Sequence, residues 1–383
     1  MDYVMRPLRP RLSDLVIGEL AVGDATRQEL CEWLDVSRTS LGRAIDEIAA
    51  EGAFISSVKE SAGSRGRPVE RLHFNSQVGY RVGIEISRSS CCAVVLNRHY
   101  DVLATVTLDI DDFQGWHEPL KCTSDMLYST AERQHVQMQD ISRVGVGIPV
   151  PLGTDSPEYS QVLDEVRTVI ERRWNAPTLV ENTVRLAAIG ENGWGASKGY
   201  GSYVYVRFGA GLGCCVVISD QITHGQAGYA GELGHVHVSG LTDPCYCGGT
   251  GCLETVASSR ALCEAAGVPH LAQLGAAYAR HDKRACTAIE RAVSMVGNVL
   301  ASLVLTASPQ VVLCAGEVVD AIPDFPQLLR KAILDSLSPM FHEIVTVQKA
   351  SLGKIGSALG AALAANYAVD ESDTESGMEG YPA

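Results

Sequence analysis

The apolar positions of the first fifty residues keep a helical rhythm. In "RLSDLVIGELAV" (11–22) they recur three and four apart. The rhythm resumes in "DATRQELCEWLDV", where Asp24 or Thr26 is placed to cap a second helix with Leu30, Trp33 and Leu34 on its apolar face. "SRTSLGRAIDEIAAEG" predicts a third helix, capped by Ser37, with Leu41, Ile45 and Ile48 inward and Gly52 as its stop. Three short helices with a tight second-to-third connection predict a helix-turn-helix. The next stretch, "AFISSVKESAGSRGRPVERLHFN", reads as strand, glycine-rich turn and strand, which makes a wing.

From residue 80 the period shortens. "YRVGIEI", "CCAVVLN" and "VLATVTLDI" predict three successive strands, followed by a helix, the strand "RVGVGI", a helix around "EYSQVLDEVRTVIERRWN" and the strand "TLVEN". A second series begins near residue 202 with "SYVYVRF" and "GCCVVIS". It continues with helices over 253–267 and 282–304, the strand "QVVLCA", a helix near 325–336 and a last helix "GSALGAALAANYA". Two successive β-rich then α/β halves predict a duplicated, two-lobed α/β architecture, although periodicity alone does not prove the duplication. The end, "DESDTESGMEGYPA", is acidic and nonperiodic, and is expected to be a disordered tail.

Composition narrows this picture. The 383 residues exceed one ordinary core, and 46% hydrophobic with 20% charged residues is a soluble globular balance. "AVSMVGNVLASLVLTA" is interrupted by Gly297 and Asn298 and reads as a buried helix rather than a membrane span. With no secretory signal pattern at the N-terminus, a cytoplasmic protein without membrane contact is expected. Most of the 12 cysteines are then reduced core residues. A net charge of −14 excludes a globally basic nucleic-acid binder but not a local one, since residues 1–80 hold 10 Lys/Arg against 12 Asp/Glu.

The start of a recognition helix reaches base edges, and here it carries Arg38, Thr39, Ser40 and Arg43. In the wing, "GSRGRP" sets Arg65 and Arg67 on either side of Gly66. Two guanidinium groups so spaced suit a narrow A·T-rich minor groove. Double-stranded DNA is therefore the expected partner of the head.

One window concentrates ligand chemistry. His235, Cys245, Cys247 and Cys252 follow H-x9-C-x-C-x4-C, and one imidazole with three thiolates makes a closed tetrahedral zinc shell with no open position for catalytic water. The expected zinc is structural.

"GELGHVHV" followed by "CYCGGTGCLE" resembles the signature of the ROK family of repressors, open reading frames and kinases. The resemblance implies an actin/Hsp70-like (ribonuclease H-like) two-lobed ATPase fold. The likeness covers roughly residues 80–366, and with the patterns above it gives a winged-helix head over 1–76, lobes over 77–182 and 183–367 and a tail over 368–383. It also implies a sugar site in which Glu232, His235 and Glu254 bond hydroxyls, with Asn182 contributing from a strand end. Arg185 could pair with Glu232 or Glu254, or favour an acidic or phosphorylated ligand; a place on a helix surface is the expectation.

The reacting positions depart from the family's kinases. "VENTVRLAAIGENGWG" has Thr183 where the family's basic aspartate stands, and an alcohol cannot accept a proton as a carboxylate does. In the first phosphate loop Glu85 stands in for the acid, but Ser87-Arg88-Ser89 replace Gly-Gly-Thr, and "GIPVP" has Val150 for a glycine; Gly209, Gly211 and Gly213 of the second loop remain. The expectation is a catalytically inactive, sugar-responsive transcriptional repressor, working as a homodimer or homotetramer. The alternatives are a bifunctional hexose kinase with a regulatory head, or a repressor controlled by a protein partner.

Overall fold

The computed structural model describes residues 12–22, 24–50, 55–60, 69–74, 79–87, 89–97, 100–110, 115–134, 136, 140–150 and 157–365. In the head, α1 (Leu12–Val22), β1 (Ala25–Thr26), α2 (Arg27–Trp33) and α3 (Arg38–Ala50) precede the antiparallel pair β2 (Ile55–Glu60) and β3 (Val69–Phe74). Val16, Ile17, Leu20, Leu30, Leu41, Ile45, Ile48 and Leu72 form its core, so each of the three helices buries one stripe.

Thr26 is the cap of α2. Its hydroxyl accepts the Glu29 N–H at 3.1 Å, and the Glu29 carboxylate accepts the Thr26 N–H at 2.7 Å. Asp24 instead pairs with His73 at 2.7 Å, while its carbonyl takes the Arg71 guanidinium. Those contacts, with the Ala25↔Leu72 register, tie β3 to the start of α2. Trp33, expected on the apolar face, is 54% exposed. Leu30 and the half-buried Leu34, four apart, already take the inward side of this two-turn helix, and position 33 is turned off that stripe. The expected stop Gly52 and the wing residues Arg65, Gly66 and Arg67 lie outside the described residues.

The rest of the chain divides near Glu181/Asn182. Before that point run β4 (Tyr80–Ile86), β5 (Ser90–Leu96), β6 (Val102–Asp109), α4 (His117–Arg133), β7 (Ile141–Ile148), α5 (Pro157–Trp174) and β8 (Thr178–Asn182). The sheet order is β6-β5-β4-β7-β8. Every residue of β4 is buried, as a strand covered on both faces requires, and both Cys91 and Cys92 are inside.

The unit built on Asn182–Gly360 holds α6 (Thr183–Trp194), β9 (Tyr203–Phe208), β10 (Leu212–Ile218), β11 (Gln221–Ile222), α7 (Glu254–Ala257), α8 (Ser259–Ala266), α9 (Leu271–Ala279), α10 (Lys283–Ala307), β12 (Val311–Ala315), α11 (Glu317–Ala321), α12 (Phe325–Asp335), β13 (Val347–Lys349) and most of α13 (Gly356–Ala364). Its sheet runs β11-β10-β9-β12-β13. In each sheet the first strand of the series is antiparallel to the second and parallel to the fourth (β4 to β5 and β7, β9 to β10 and β12), so the two series share one topology. The duplication hidden from periodicity is plain in the strand order.

Among the described residues α10 alone is long and apolar enough to cross a membrane by length and composition, yet 50% of its apolar window is buried. Ile289, Val293, Val296 and Leu300 pack it into the core of this unit, as the sequence leads one to expect. α6 and α13 meet at backbone contact: a Cβ on Gly190 or Gly360 would strike the main chain of Gly356 or Leu186.

Candidate functional site

After β11 the chain leaves regular structure until α7, apart from a single 3₁₀ turn over Leu233–His235. Short backbone bonds shape this stretch. The Cys245 N–H donates to Gly249 and the Gly248 N–H to Cys245, making a tight turn around the paired sulfurs. Gly251, at φ +70°, lets the chain come back under His237.

The turn brings His235, Cys245, Cys247 and Cys252 together, with one ligand atom from each within 4.8 Å of all the others. His235 Nδ1 lies 3.6 Å from Cys245 Sγ, and Cys247 Sγ lies 3.6 Å from Cys252 Sγ. A tetrahedron with metal–sulfur bonds of about 2.3 Å and metal–nitrogen bonds of about 2.0 Å has edges of about 3.7 and 3.5 Å. The donor set and its spacing therefore fit a metal ion. Burial and the neighbouring sulfurs push the Cys252 thiol up to about 12, while the backbone bond from Gly249 lowers Cys247. Thiolates packed this closely call for a compensating cation. His237 stands beside the cluster but spends Nδ1 on the Thr250 carbonyl at 2.9 Å.

Beside the cluster lies a wall of acids. Glu254 opens α7 and is buried, and one of its oxygens accepts the Leu212 N–H at 3.0 Å. Gly211 has no Cβ that would crowd this carboxylate, which gives that glycine a packing reason independent of any phosphate. Desolvation raises the Glu232 carboxyl; His235 and Arg185 oppose the shift and Glu254 adds to it. Four of the residues singled out in the sequence thus share one electrostatic neighbourhood.

Arg185 is not on a helix surface. It is 4% exposed and donates to the carbonyls of Gly228 and Ala230, which fixes the loop that leads into Glu232. The reason is the packing of α6: Thr183 and all residues from Arg185 to Glu191 are buried, so the helix has little outer face in this stretch. Asn182 caps the same helix, its oxygen accepting the Val184 N–H at 2.8 Å and its amide donating to Val150 O at 3.0 Å. Thr183 is 2% exposed, and its carbonyl accepts the Ser357 hydroxyl at 3.0 Å.

The β4–β5 turn is closed on itself. The Ser87 hydroxyl accepts the N–H groups of Ser89 and Ser90 at 3.3 and 3.0 Å, so these amides are already engaged by a side chain. Glu85 is buried in β4 opposite Cys92. In the second glycine loop, Val184 fills the space a Cβ on Gly213 would need.

On the head, Arg38, Thr39, Ser40 and Arg43 are all exposed along the start of α3. The Ser37 hydroxyl accepts the Ser40 N–H at 3.1 Å. Thr26, Arg27, Gln28, Arg38, Leu41 and Glu70 line a groove where the first turns of α2 and α3 meet β3. Arg27 and Gln28 are polar groups of this face that the sequence reading missed. Their signal was their place in the first turn after the cap, which ordinary helix patterning does not weigh. Tyr246, between two of the cysteines, was missed as well.

The family model described as "ROK family" matches residues 81–367. The xylose repressor of Bacillus spizizenii is 23% identical over 354 residues, covering 88% of this chain and 89% of the repressor. The crystal structure of a ROK family transcriptional regulator, a homologue of the E. coli MLC protein, superposes with a TM-score of 0.72 at 21% identity, covering 94% of this chain and 97% of that one. The ROK hexokinase of Thermus thermophilus gives 0.63 at 28% identity, over 75% of this chain and 98% of the kinase. The fold of the matched region is thus the actin/Hsp70-like one of ROK regulators and sugar kinases.

Proposed function

This chain belongs to the ROK family, and from that premise we propose that it is a sugar-responsive, DNA-binding transcriptional repressor whose kinase-like domain senses a ligand without phosphorylating it. One observation carries the reading. An exposed Arg38/Thr39/Ser40/Arg43 face precedes the family domain, and Thr183, which the motif resemblance aligns with the basic aspartate of the family's kinases, is buried. Likeness to a xylose repressor over 88% of this chain and to a ROK regulator over 94% of it supports the reading.

Arg38 and Arg43 would bond phosphates or guanine edges, with Thr39 and Ser40 as short-range donors and acceptors. Arg65 and Arg67, flanking Gly66, would enter the adjoining minor groove. A homodimer, or a homotetramer of two such pairs, would set two α3 helices against a pseudo-palindromic operator.

Zinc would be held by Nδ1 of His235 and the sulfurs of Cys245, Cys247 and Cys252. Bound there, it would cross-link the irregular 235–252 segment. With Nδ1 committed, Nε2 carries the ring proton and is a fixed donor. Glu232 and Glu254 would accept hydrogen bonds from the hydroxyls of a monosaccharide or a derivative of one. Asn182 would act chiefly by holding the start of α6 and Val150 in place, and Arg185 by fixing the loop before Glu232. An effector acts on the operator only by its difference in affinity between the DNA-competent and DNA-released states.

The likeness to a ROK hexokinase favours a second reading, in which the chain both binds DNA and phosphorylates a hexose. Thr183 and the self-closed Ser87 turn weigh against it. A coupled ADP-release assay with D-glucose, D-xylose and D-mannose separates the two. The repressor reading expects no ADP above the sugar-free background, and steady sugar-dependent turnover would overturn it.

A further inference from the structure

Tyr246 stands between two of the metal-cluster cysteines, and no role above uses it. The residue is 75% exposed, and its ring meets His235 edge-on with centroids 5.3 Å apart and planes at 80°. Its hydroxyl lies 3.2 Å from Nε2 of His235, the ring nitrogen that faces away from the cysteines. His235 ends the 3₁₀ turn that Glu232 precedes, so the contact lies beside the acid wall.

From this geometry we propose that Tyr246 is a displaceable cap on the ligand wall: its hydroxyl occupies Nε2 of His235 in the free protein, and an incoming polyhydroxylated ring takes that bond and receives the tyrosine ring against its apolar face. This rests on the sugar-effector reading and deepens it. With Nδ1 turned to the metal cluster, Nε2–H donates and the phenolic oxygen accepts; a ligand hydroxyl oxygen accepts the same proton, so the two compete for one donor. The exchange is bond for bond and costs no unsatisfied group. The ring contributes dispersion and an electron-rich face, which favours a pyranose with axial C–H groups on one side over an acyclic or highly charged ligand.

The test uses the full-length zinc-loaded chain as wild type, Tyr246→Phe and Tyr246→Ala. Histidine-selective ¹⁵N NMR without ligand reads the contact: Tyr246→Phe should move one Nε2 resonance, that of His235. Calorimetric titration with D-glucose and D-xylose reads the displacement. Removing the competing hydroxyl should tighten binding by about threefold to tenfold in Tyr246→Phe. Removing the ring should weaken it by about fivefold or more relative to Tyr246→Phe. An unmoved histidine resonance, or a sugar bound with affinities equal within twofold in all three proteins, overturns the cap. If the resonance moves but neither sugar binds any of the three, displacement by these sugars is overturned and the effector reading falls with it, while the hydroxyl–imidazole contact stands.

Discussion

At position 185 a guanidinium is folded into the protein with its donors aimed at main-chain carbonyls. Nothing in "NTVRLAAIG" marks it as internal, because the signal for burial of α6 lies in the elements that surround it, and a single arginine in an apolar helix reads first as its outer face. Its consequence is measurable. Arg185→Met would leave the carbonyls of Gly228 and Ala230 without this partner and Glu232 without a nearby cation. The loss should be about 2–4 kcal/mol in urea unfolding, with Arg185→Lys intermediate. A change below about 0.5 kcal/mol, the range of an ordinary surface substitution, would contradict the assignment. At Thr183 the strand end "VEN" gives the position in the sequence, and the structure adds that the side chain is buried. Ser87 lies between the two: a serine in the β4–β5 turn is legible in the sequence, but its capture of two amides is not.

The elements of the head and of both sheets were visible wherever the chain repeats its pattern for five residues or more. What escaped were β1, β11 and β13, two or three residues each, and α9 and α11, whose sequences hold no strong start signal. Pieces that short are made by their neighbours, as β1 is by pairing with β3. The sequence offers Asp24 and Thr26 as caps of α2, and the structure assigns the role to Thr26 with Glu29 as reciprocal partner. Thr26→Ala should cost the head about 1 kcal/mol. The bonds from Thr26 hold the Glu29 carboxyl below its usual range. A depressed carboxyl contributes stability that is fully present above its unfolded value near 4.5 and is lost as pH falls through the lower folded value. Thermal unfolding followed at Trp33, with the tryptophans at 116, 174 and 194 replaced by phenylalanine, should therefore show Glu29→Gln less stable than the parent at pH 7. The gap should close as pH drops below about 4.5; a gap unchanged down to pH 3 would contradict the capping role.

For the whole molecule, the window after residue 230 was the most legible part of the site, because ligand chemistry and spacing travel together in sequence. The acid wall was legible only through the family pattern, since Glu232 and Glu254 are 22 positions apart. Its dependence on Leu212 and Arg185 needed coordinates. If a metal cross-links the 235–252 segment, chelation of the full chain should lower the thermal midpoint and abolish sugar binding together, with one equivalent of zinc released per chain. Protein that holds no metal and is indifferent to the chelator would remove that part of the account.

The central claim couples the head to the kinase-like domain. Its most direct measurement is fluorescence anisotropy of a labelled operator, selected from random duplexes by the full-length protein, during titration with D-xylose and D-glucose at constant ionic strength. The account predicts sequence-specific binding that Arg38→Ala with Arg43→Ala abolishes, and at least about a tenfold loss of operator affinity with one of the sugars. Absence of any selected sequence, or an operator complex that neither sugar disturbs, would contradict it.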